Sequence, residues 1–292
     1  MSGNAYEAEV VVIGGGLAGM VTALELLDAG KSVVMFDAAG RDRFGGLALW
    51  SFGGMFFVDS PEQRKNGIKD SVELAMRDWV RYGELDPIDQ WPYRWAEAYV
   101  NRCTEEVRGW LADRGVEFFR AVNWTERGYY IPGNSVPRFH IVWGTGEGII
   151  VALIPLLEAH EKAGRLKLHF NHRVDGLTQE GGQLVGCHGT NGGKAFEARG
   201  DCVVIAAGGI AGNHDKVREI WPRDQWGDPP EPMLNGSIPE ADGRLLDRAQ
   251  ELGANITHLE KMWNYAAGVR HWQPLFPNYG LSLVPGKSSL WM

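Results

Sequence analysis

Gly14, Gly16 and Gly19 stand in the spacing G-x-G-x-x-G, and Asp37 follows eighteen residues after the last of them. Such glycines can bring a backbone loop close to a diphosphate. Gly14 permits a tight turn, Gly16 admits the pyrophosphate, and Gly19 lets helix and strand pack closely. The residues around them fit that chemistry. Glu9–Ile13 is a β-branched apolar run, as a strand buried on both faces requires. Leu17–Ala29 places Met20, Ala23, Leu24 and Leu27 on one helical stripe, with Gly30 as its stop. Ser32–Phe36 is strand-like again, so the glycines lie between a buried strand and a helix N-terminus whose amides and dipole attract phosphate. A carboxylate at Asp37 accepts hydrogen bonds from ribose hydroxyls and repels a 2′-phosphate, which selects FAD or NAD over NADP. The competing reading is a structural glycine turn with a solvated Asp37.

Two further glycine stations favour a flavin over a nicotinamide. Where a nicotinamide enzyme would place an amphipathic crossover helix, this chain has Gly45-Gly46 and Gly53-Gly54 flanking a largely apolar stretch. Glycine backbone of this kind can lie flush against a large planar ligand. The strand-like Cys202–Ile205 then runs into Ala206-Ala207-Gly208-Gly209, again small residues at the carboxyl end of a strand.

Together, Gly14 to Ala23, Asp37, Gly45 to Gly54, HRVDGL at 172–177, AAGGIAGN at 206–213 and ADGRLLDRAQELGA at 241–254 resemble the fumarate reductase/succinate dehydrogenase flavoprotein superfamily. Within it the sequence is most similar to FAD-binding dehydrogenases related to 3-ketosteroid Δ1-dehydrogenases. The resemblance implies an α/β fold: a Rossmann-like FAD-binding domain with a parallel sheet and a small antiparallel meander, then the beginning of an α+β capping domain. It divides the chain into an FAD-binding domain at 1–254, with a helical insertion at about 60–140, and the start of a substrate domain at 255–292. It also implies roles. Gly14, Gly15, Gly16, Leu17, Ala18 and Gly19 would bind the pyrophosphate and Asp37 the adenosine ribose. Gly45, Gly46, Ala48, Ser51, Gly53 and Gly54 would run beside the ribityl chain and flavin. Val174 would meet adenine through its backbone, or be an ordinary strand residue. Ala207 and Gly208 would meet the nucleotide, and Asp242 would meet FAD or cap the helix after it.

Departures from the family pattern narrow the chemistry. Members that tether FAD covalently use a histidine where this chain has Leu47, so the flavin is expected to be non-covalent. The dicarboxylate enzymes place a His-Pro pair where this chain has Tyr265-Ala266. Tyr265, among Met262, Trp263 and Trp272, suits a neutral apolar substrate better than a dicarboxylate. The resemblance implies dehydrogenation or reduction of a CH–CH bond next to a carbonyl in an apolar, steroid-like substrate, with hydride exchanged with the flavin. Tyr265 is the candidate acid/base residue. A flavin oxidase acting on an amine or alcohol, and a catalytically inactive FAD-binding fragment, are the rival readings. The chain ends at Met292, which in the resembling family lies part-way through the capping domain, so a truncated form of a longer protein is expected.

The remaining sequence bounds partners and compartment. The 292 residues carry a net charge of -8 and no basic cluster, which disfavours nucleic acid. No apolar stretch is long enough to span a bilayer. Cys103, Cys187 and Cys202 are far apart, which suits no metal site and fits a reducing, cytoplasmic setting. The expected partners are the small apolar substrate and an electron acceptor of unknown identity.

Twelve tryptophans are expected to build a Trp-rich core, the alternative being a flat apolar ligand. Residues 70–82, 91–113 and 148–163 look helical, with Trp95, Tyr99, Cys103, Val107 and Trp110 as core contacts. Between them, 126–148 is loop-rich. Tyr129, Tyr130, Arg138 and His140 there either face substrate or belong to a packed connector. Residues 165–207 read as short strands joined by glycine turns, and 222–240, rich in proline, as an irregular bridge.

Overall fold

In the computed structural model, Val10–Ile13 and Val33–Phe36 are buried along their whole length, as their unbroken apolar sequences require. The model describes residues 4–86, 90–128, 130–265 and 267–282. In chain order the elements are β1 (Asn4–Glu7), β2 (Val10–Ile13), α1 (Leu17–Asp28), β3 (Val33–Phe36), β4 (Gly54–Phe56), α2 (Pro61–Lys65), α3 (Val72–Tyr82), α4 (Gln90–Arg102), α5 (Trp110–Asp113), β5 (Phe139–Ile141) and α6 (Thr145–Lys162). They continue with β6 (Leu166–His169), β7 (Arg173–Glu180), β8 (Gln183–Asn191), β9 (Lys194–Arg199), β10 (Cys202–Ile205), α7 (His214–Glu219), α8 (Arg223–Trp226), α9 (Arg244–Glu251), β11 (Gly268–Arg270) and β12 (Gly280–Ser282). The chain separates into two compact units, one made of the residues up to Leu47 and from Leu156 onward, the other of Ala48–Pro155.

The first unit contains a parallel sheet in the order β10-β2-β3-β6. Helix α1 packs on β2 and β3 with Met20, Ala23, Leu24 and Leu27 buried, the stripe that the sequence predicts. Burying each of the larger side chains contributes about 1.5–3 kcal/mol. After α1 the chain turns through Gly30, at φ +82, where the sequence places the helix stop.

The opposite face of that sheet meets the meander β7-β8-β9, whose two hairpins close through Gly181-Gly182 and Gly192-Gly193, as their turn residues indicate. Val11, Ile13, Val34 and Phe36 form one core with Val174, Cys187, Phe196 and Ala198 of the meander and Leu245 of α9. Strand β1 adds to the outer edge of β9 in parallel, a pairing with no signature in its polar sequence. It carries Tyr6 onto His169, His172, Phe36 and Phe196. Within 222–240 the bridge is irregular apart from the four-residue α8.

The second unit is mainly helical around the antiparallel pair β4–β5. Phe57, Val58, Ala75, Val100 and Cys103 form its core. The helix expected over 91–113 changes to π-helical turns at Cys103–Gly109 before α5. There the Thr104 hydroxyl donates to Val58 O at 2.6 Å and Arg108 forms a two-point pair with Glu62.

Two sequence expectations are corrected, and one open alternative is decided. None of the described tryptophans is buried, so the Trp-rich core does not form; Trp95, expected in the core, is 72% exposed. Arg138 and His140 do not face a substrate, being 1% and 0% exposed. The part of the segment carrying them is packed, whereas Tyr130 is 93% exposed. Arg138 holds Asp70 through two hydrogen bonds of 2.7 and 2.8 Å and Asp78 through one of 2.8 Å. Tyr129, Ala266 and the residues from 283 to the end lie outside the described residues.

His140 is held at both ring nitrogens. Nδ1 lies 2.7 Å from Arg138 O, which can only accept, so Nδ1 carries the proton and Nε2, 2.7 Å from Ser60 Oγ, accepts from that hydroxyl. Burial pushes its pKa below the ordinary histidine value. In the first unit burial, with His172 and Lys167 nearby, pushes His169 down to about 4. Both groups are therefore more readily protonated in the unfolded chain. Their contribution is complete above the unfolded value of about 6.5 and is lost as pH falls toward the folded values. The free energy of unfolding is expected to drop by about 1–3 kcal/mol between pH 7 and pH 5. Urea titrations at the two pH values check this, and His140→Gln should shrink the difference.

Candidate functional site

The turn after β2 is held by backbone hydrogen bonds at both ends. Gly14 N–H donates to Phe36 O at 2.8 Å, and Gly45 N–H donates to Gly15 O at 2.9 Å. The carbonyl of Gly14 fills the place that a Cβ on Gly19 would need, 1.9 Å away, which is the close packing the motif requires. Gly16 is the N-cap of α1 and supplies no side chain to its first turn. By contrast, Ser60, Ser71 and Asn213 cap α2, α3 and α7 through side-chain oxygens. The first turn of α1, Leu17, Ala18 and Gly19, contains no acidic residue. These are the properties of an anion-accepting helix terminus.

Asp37 lies at the carboxyl end of β3. Its Oδ2 accepts from Gly15 N–H at 2.6 Å and its Oδ1 from Ala39 N–H at 2.7 Å. Burial pushes its carboxyl above the usual range, opposed by those two amides; Glu240 adds to the rise and Arg43 counters it. Each carboxylate oxygen has acceptor capacity beyond the one amide it holds, which matches the two hydroxyls of a ribose. A Cβ on Gly46 would come within 3.2 Å of Gly16 Cα, so the first Gly-Gly pair lies against the turn after β2. Gly14 is as close to Ala206 and Ala207, and Gly208 continues that strand exit at φ +78. The fold therefore brings Gly14–Gly19, Asp37, Gly45, Gly46, Ala207 and Gly208 together, and this cradle fits the adenosine diphosphate part of FAD.

Two neighbours of this cradle have no signal in the sequence. Arg43 pairs with Glu240 through contacts of 2.6 and 3.0 Å, and Phe44 packs under Gly15. Asp242 is a nearby candidate of a different kind. Gly243, not Asp242, is the N-cap of α9, yet Asp242 Oδ1 accepts from Arg244 N–H at 3.0 Å while Oδ2 pairs with Arg173 at 2.9 Å. Val174 is 6% exposed, with its side chain in the shared core and its position on β7 opposite Gly189. Tyr265 stacks on Trp263 with ring centroids 6.1 Å apart, and both are exposed.

The second glycine station belongs to the other unit. The Ser51 hydroxyl donates to Ala48 O at 2.9 Å and Gly53 N–H donates to Ser51 Oγ at 3.2 Å. Gly53 sits at φ +61 with room for no side chain, since a Cβ would lie 2.5 Å from the carbonyl carbon of Thr145. Gly54 pairs with Ile141 at the start of β4. Leu47 is exposed.

Residues 9–292 match the family model described as FAD binding domain, and the chain belongs to that family of flavoproteins. It is 42% identical, over 98% of its length, to a KsdD-like steroid dehydrogenase of Mycobacterium tuberculosis, covering 53% of that protein. Its fold matches the crystal structure of 3-ketosteroid-Δ4-(5α)-dehydrogenase from Rhodococcus jostii RHA1, with TM-score 0.70, 27% identity and coverage of 87% of this chain and 56% of the other. The 3-ketosteroid Δ1-dehydrogenase of Sterolibacterium denitrificans shares the fold at TM-score 0.72 and 16% identity, covering 95% of this chain and 59% of the other. The chain spans about half the length of the curated relatives it matches. Among the described residues no helix is long and apolar enough to cross a membrane.

Proposed function

We propose that this chain is the FAD-binding part of an oxidoreductase that dehydrogenates or reduces a CH–CH bond beside a carbonyl in an apolar, steroid-like substrate. The observation that carries the reading is the uncapped N-terminus of α1 set against Gly14–Gly16 with the Asp37 carboxylate at the end of β3. The first-turn amides of α1 hold the diphosphate, and Asp37 holds the ribose. Gly45, Gly46, Ala48, Ser51, Gly53 and Gly54 run beside the ribityl and ring system, and Ala207 and Gly208 bear on the nucleotide. Val174 meets adenine through its backbone, and Asp242 reaches the cofactor when Arg173 yields it. The cofactor is non-covalent, because no histidine stands at Leu47. FAD, when bound, supplies the two-electron chemistry. Tyr265 is the proposed acid/base group for the proton next to the substrate carbonyl. Residues 1–254 form the cofactor domain with its helical insertion at about 60–140, and 255–292 begin the substrate domain.

One titration tests this. Purified chain, stripped of flavin and mixed with FAD, should develop a bound-flavin visible spectrum, and Asp37→Ala should weaken binding about 10- to 100-fold. A chain whose spectrum stays that of free FAD refutes the proposal. In a polypeptide of the relatives' full length, Tyr265→Phe should leave FAD binding intact and lower turnover; unchanged turnover removes Tyr265. Oxygen consumption without an added acceptor would indicate the oxidase reading, and FAD binding without turnover on any ketosteroid the inactive one.

A further inference from the structure

The backbone of Asp37 is gripped on both sides by one short segment. Asp37 N–H donates to His169 O at 2.9 Å, at the end of β6, and His172 N–H, just before β7, donates to Asp37 O at 2.8 Å. Between them Asn171 N–H donates to Ala39 O at 2.9 Å. Ala39 N–H is in turn one of the two amides that hold the Asp37 carboxylate. Two histidine rings fix this segment in the core. His172 Nδ1 lies 2.8 Å from Phe170 O, which can only accept, so Nδ1 carries the proton and Nε2 accepts from the Tyr6 hydroxyl at 3.1 Å. The Asn191 side chain of β8 lies against the same ring. The His169 ring stacks on Phe36 with centroids 5.3 Å apart and packs on Tyr6 at 4.2 Å, and its Nε2 is buried without a hydrogen-bond partner.

We infer that His169 and His172 are positioning residues for the Asp37 carboxylate: His172 anchors the segment by its ring hydrogen bonds, and neutral His169 seals it against the core. The inference rests on the reading that Asp37 holds the ribose of FAD. A proton added to His169 meets no acceptor at Nε2, and burial, with His172 and Lys167 nearby, opposes it. The other groups packed on the two rings bring no negative charge: Tyr6 from β1, Phe36 from β3, Asn191 from β8 and Phe196 from β9. Protonation therefore favours a state in which 169–172 leaves the cluster, and the backbone of Asp37 and Ala39 loses its anchor. In that state His169 regains the ordinary histidine value of about 6.5. A fall from pH 7 to pH 5 then raises the population of the released state about tenfold through His169 alone.

Amide hydrogen exchange on the FAD-free chain tests the inference, with circular dichroism confirming that each variant is folded. The amides of Gly15 and Ala39 donate to the Asp37 carboxylate and report its position. Their protection should fall about tenfold between pH 7 and pH 5 and stay below that at the centre of β2, the mark of a local opening. His169→Phe keeps the stacked ring and removes the titration, so it should hold that fall to within about threefold. His172→Leu should lower protection at both amides about tenfold already at pH 7 and raise the FAD dissociation constant by a similar factor. A fall that is the same in His169→Phe belongs to Asp37 itself and overturns the inference. So does exchange at Gly15 and Ala39 that follows β2 throughout, or a His172→Leu chain that holds FAD like wild type. A wild-type chain that binds no FAD refutes the ribose reading instead, and the exchange data still decide whether the histidines set Asp37.

Discussion

Replacing Gly14 by alanine is expected to abolish FAD retention and to lower the thermal midpoint by about 5–10 °C. A Cβ there would lie 2.3 Å from Ala206 O, 2.6 Å from Ala206 C and 3.0 Å from Ala207 Cα, at φ +108. The obstacles are all backbone, so no rotamer change can relieve them. Either β10 must move off β2 at its carboxyl end, or the turn must shift. The turn sets the hydrogen bond from Gly15 N–H to Asp37 and the start of α1, so a shift disturbs the ribose carboxylate and the proposed phosphate donors together. Backbone strain of this kind costs about 1–3 kcal/mol, and the clash adds to it. Binding should weaken at least about 100-fold. Gly30→Ala is the matched control. Gly30 also has positive φ, at +82, but no atom lies within 4 Å of its Cβ position. That variant should lose some stability and keep its FAD. Flavin absorbance and thermal unfolding read both, and a Gly14→Ala protein that binds FAD like wild type would disprove the assignment of the loop.

The second large effect is expected at Arg138, whose carbonyl accepts from Phe57 N–H just beyond β4. Arg138→Met should destabilise the protein by about 3–5 kcal/mol, the usual cost of stranding buried charge. The side chains of Arg138, Asp70 and Asp78 are almost wholly buried. Besides Arg138, Asp78 accepts from Ser135 N–H at 2.7 Å and from the Ser135 hydroxyl at 2.6 Å. Burial would raise the Asp78 pKa, but these partners and Arg138 hold it below the usual carboxylate range. That stability is present above the unfolded carboxylate value and is lost as pH falls through the folded one. Lysine should not rescue the site, because one ammonium cannot reproduce the planar fork that grips Asp70 at two points. Adding Asp78→Asn to Arg138→Met should recover part of the loss, since one stranded charge is removed. Denaturant unfolding measures the set, with hydrogen exchange across α3 and β5 to localise it. A loss below about 1 kcal/mol would mean the network contributes little.

These two positions differ in how they could be found. Gly14 was readable because the strand, turn, helix and following strand that give it meaning lie within residues 9–37, where periodicity and glycine spacing act over short range. The hairpin turns of the meander were readable for the same reason. Arg138 was not, because its meaning depends on Asp70 and Asp78, sixty residues and more away. A polar-rich, proline-punctuated stretch looks the same whether its arginine faces substrate or a buried carboxylate. The tryptophans failed similarly, since helical spacing shows that Trp91 and Trp95 share a face but not which face the rest of the unit covers.

Local chemistry in the chain thus dictated the first β-α-β unit, the acidic residue at its end, the later glycine stations and the class of cofactor they suit. Folding decided which partners these groups acquired. Asp37 turned inward onto the Gly15 amide, Arg43 joined Glu240, and β1 extended the meander beside β9. Each of these pairs residues distant in the chain, chosen by shared burial and hydrogen-bond demand, and such a choice leaves no trace in the spacing of neighbours.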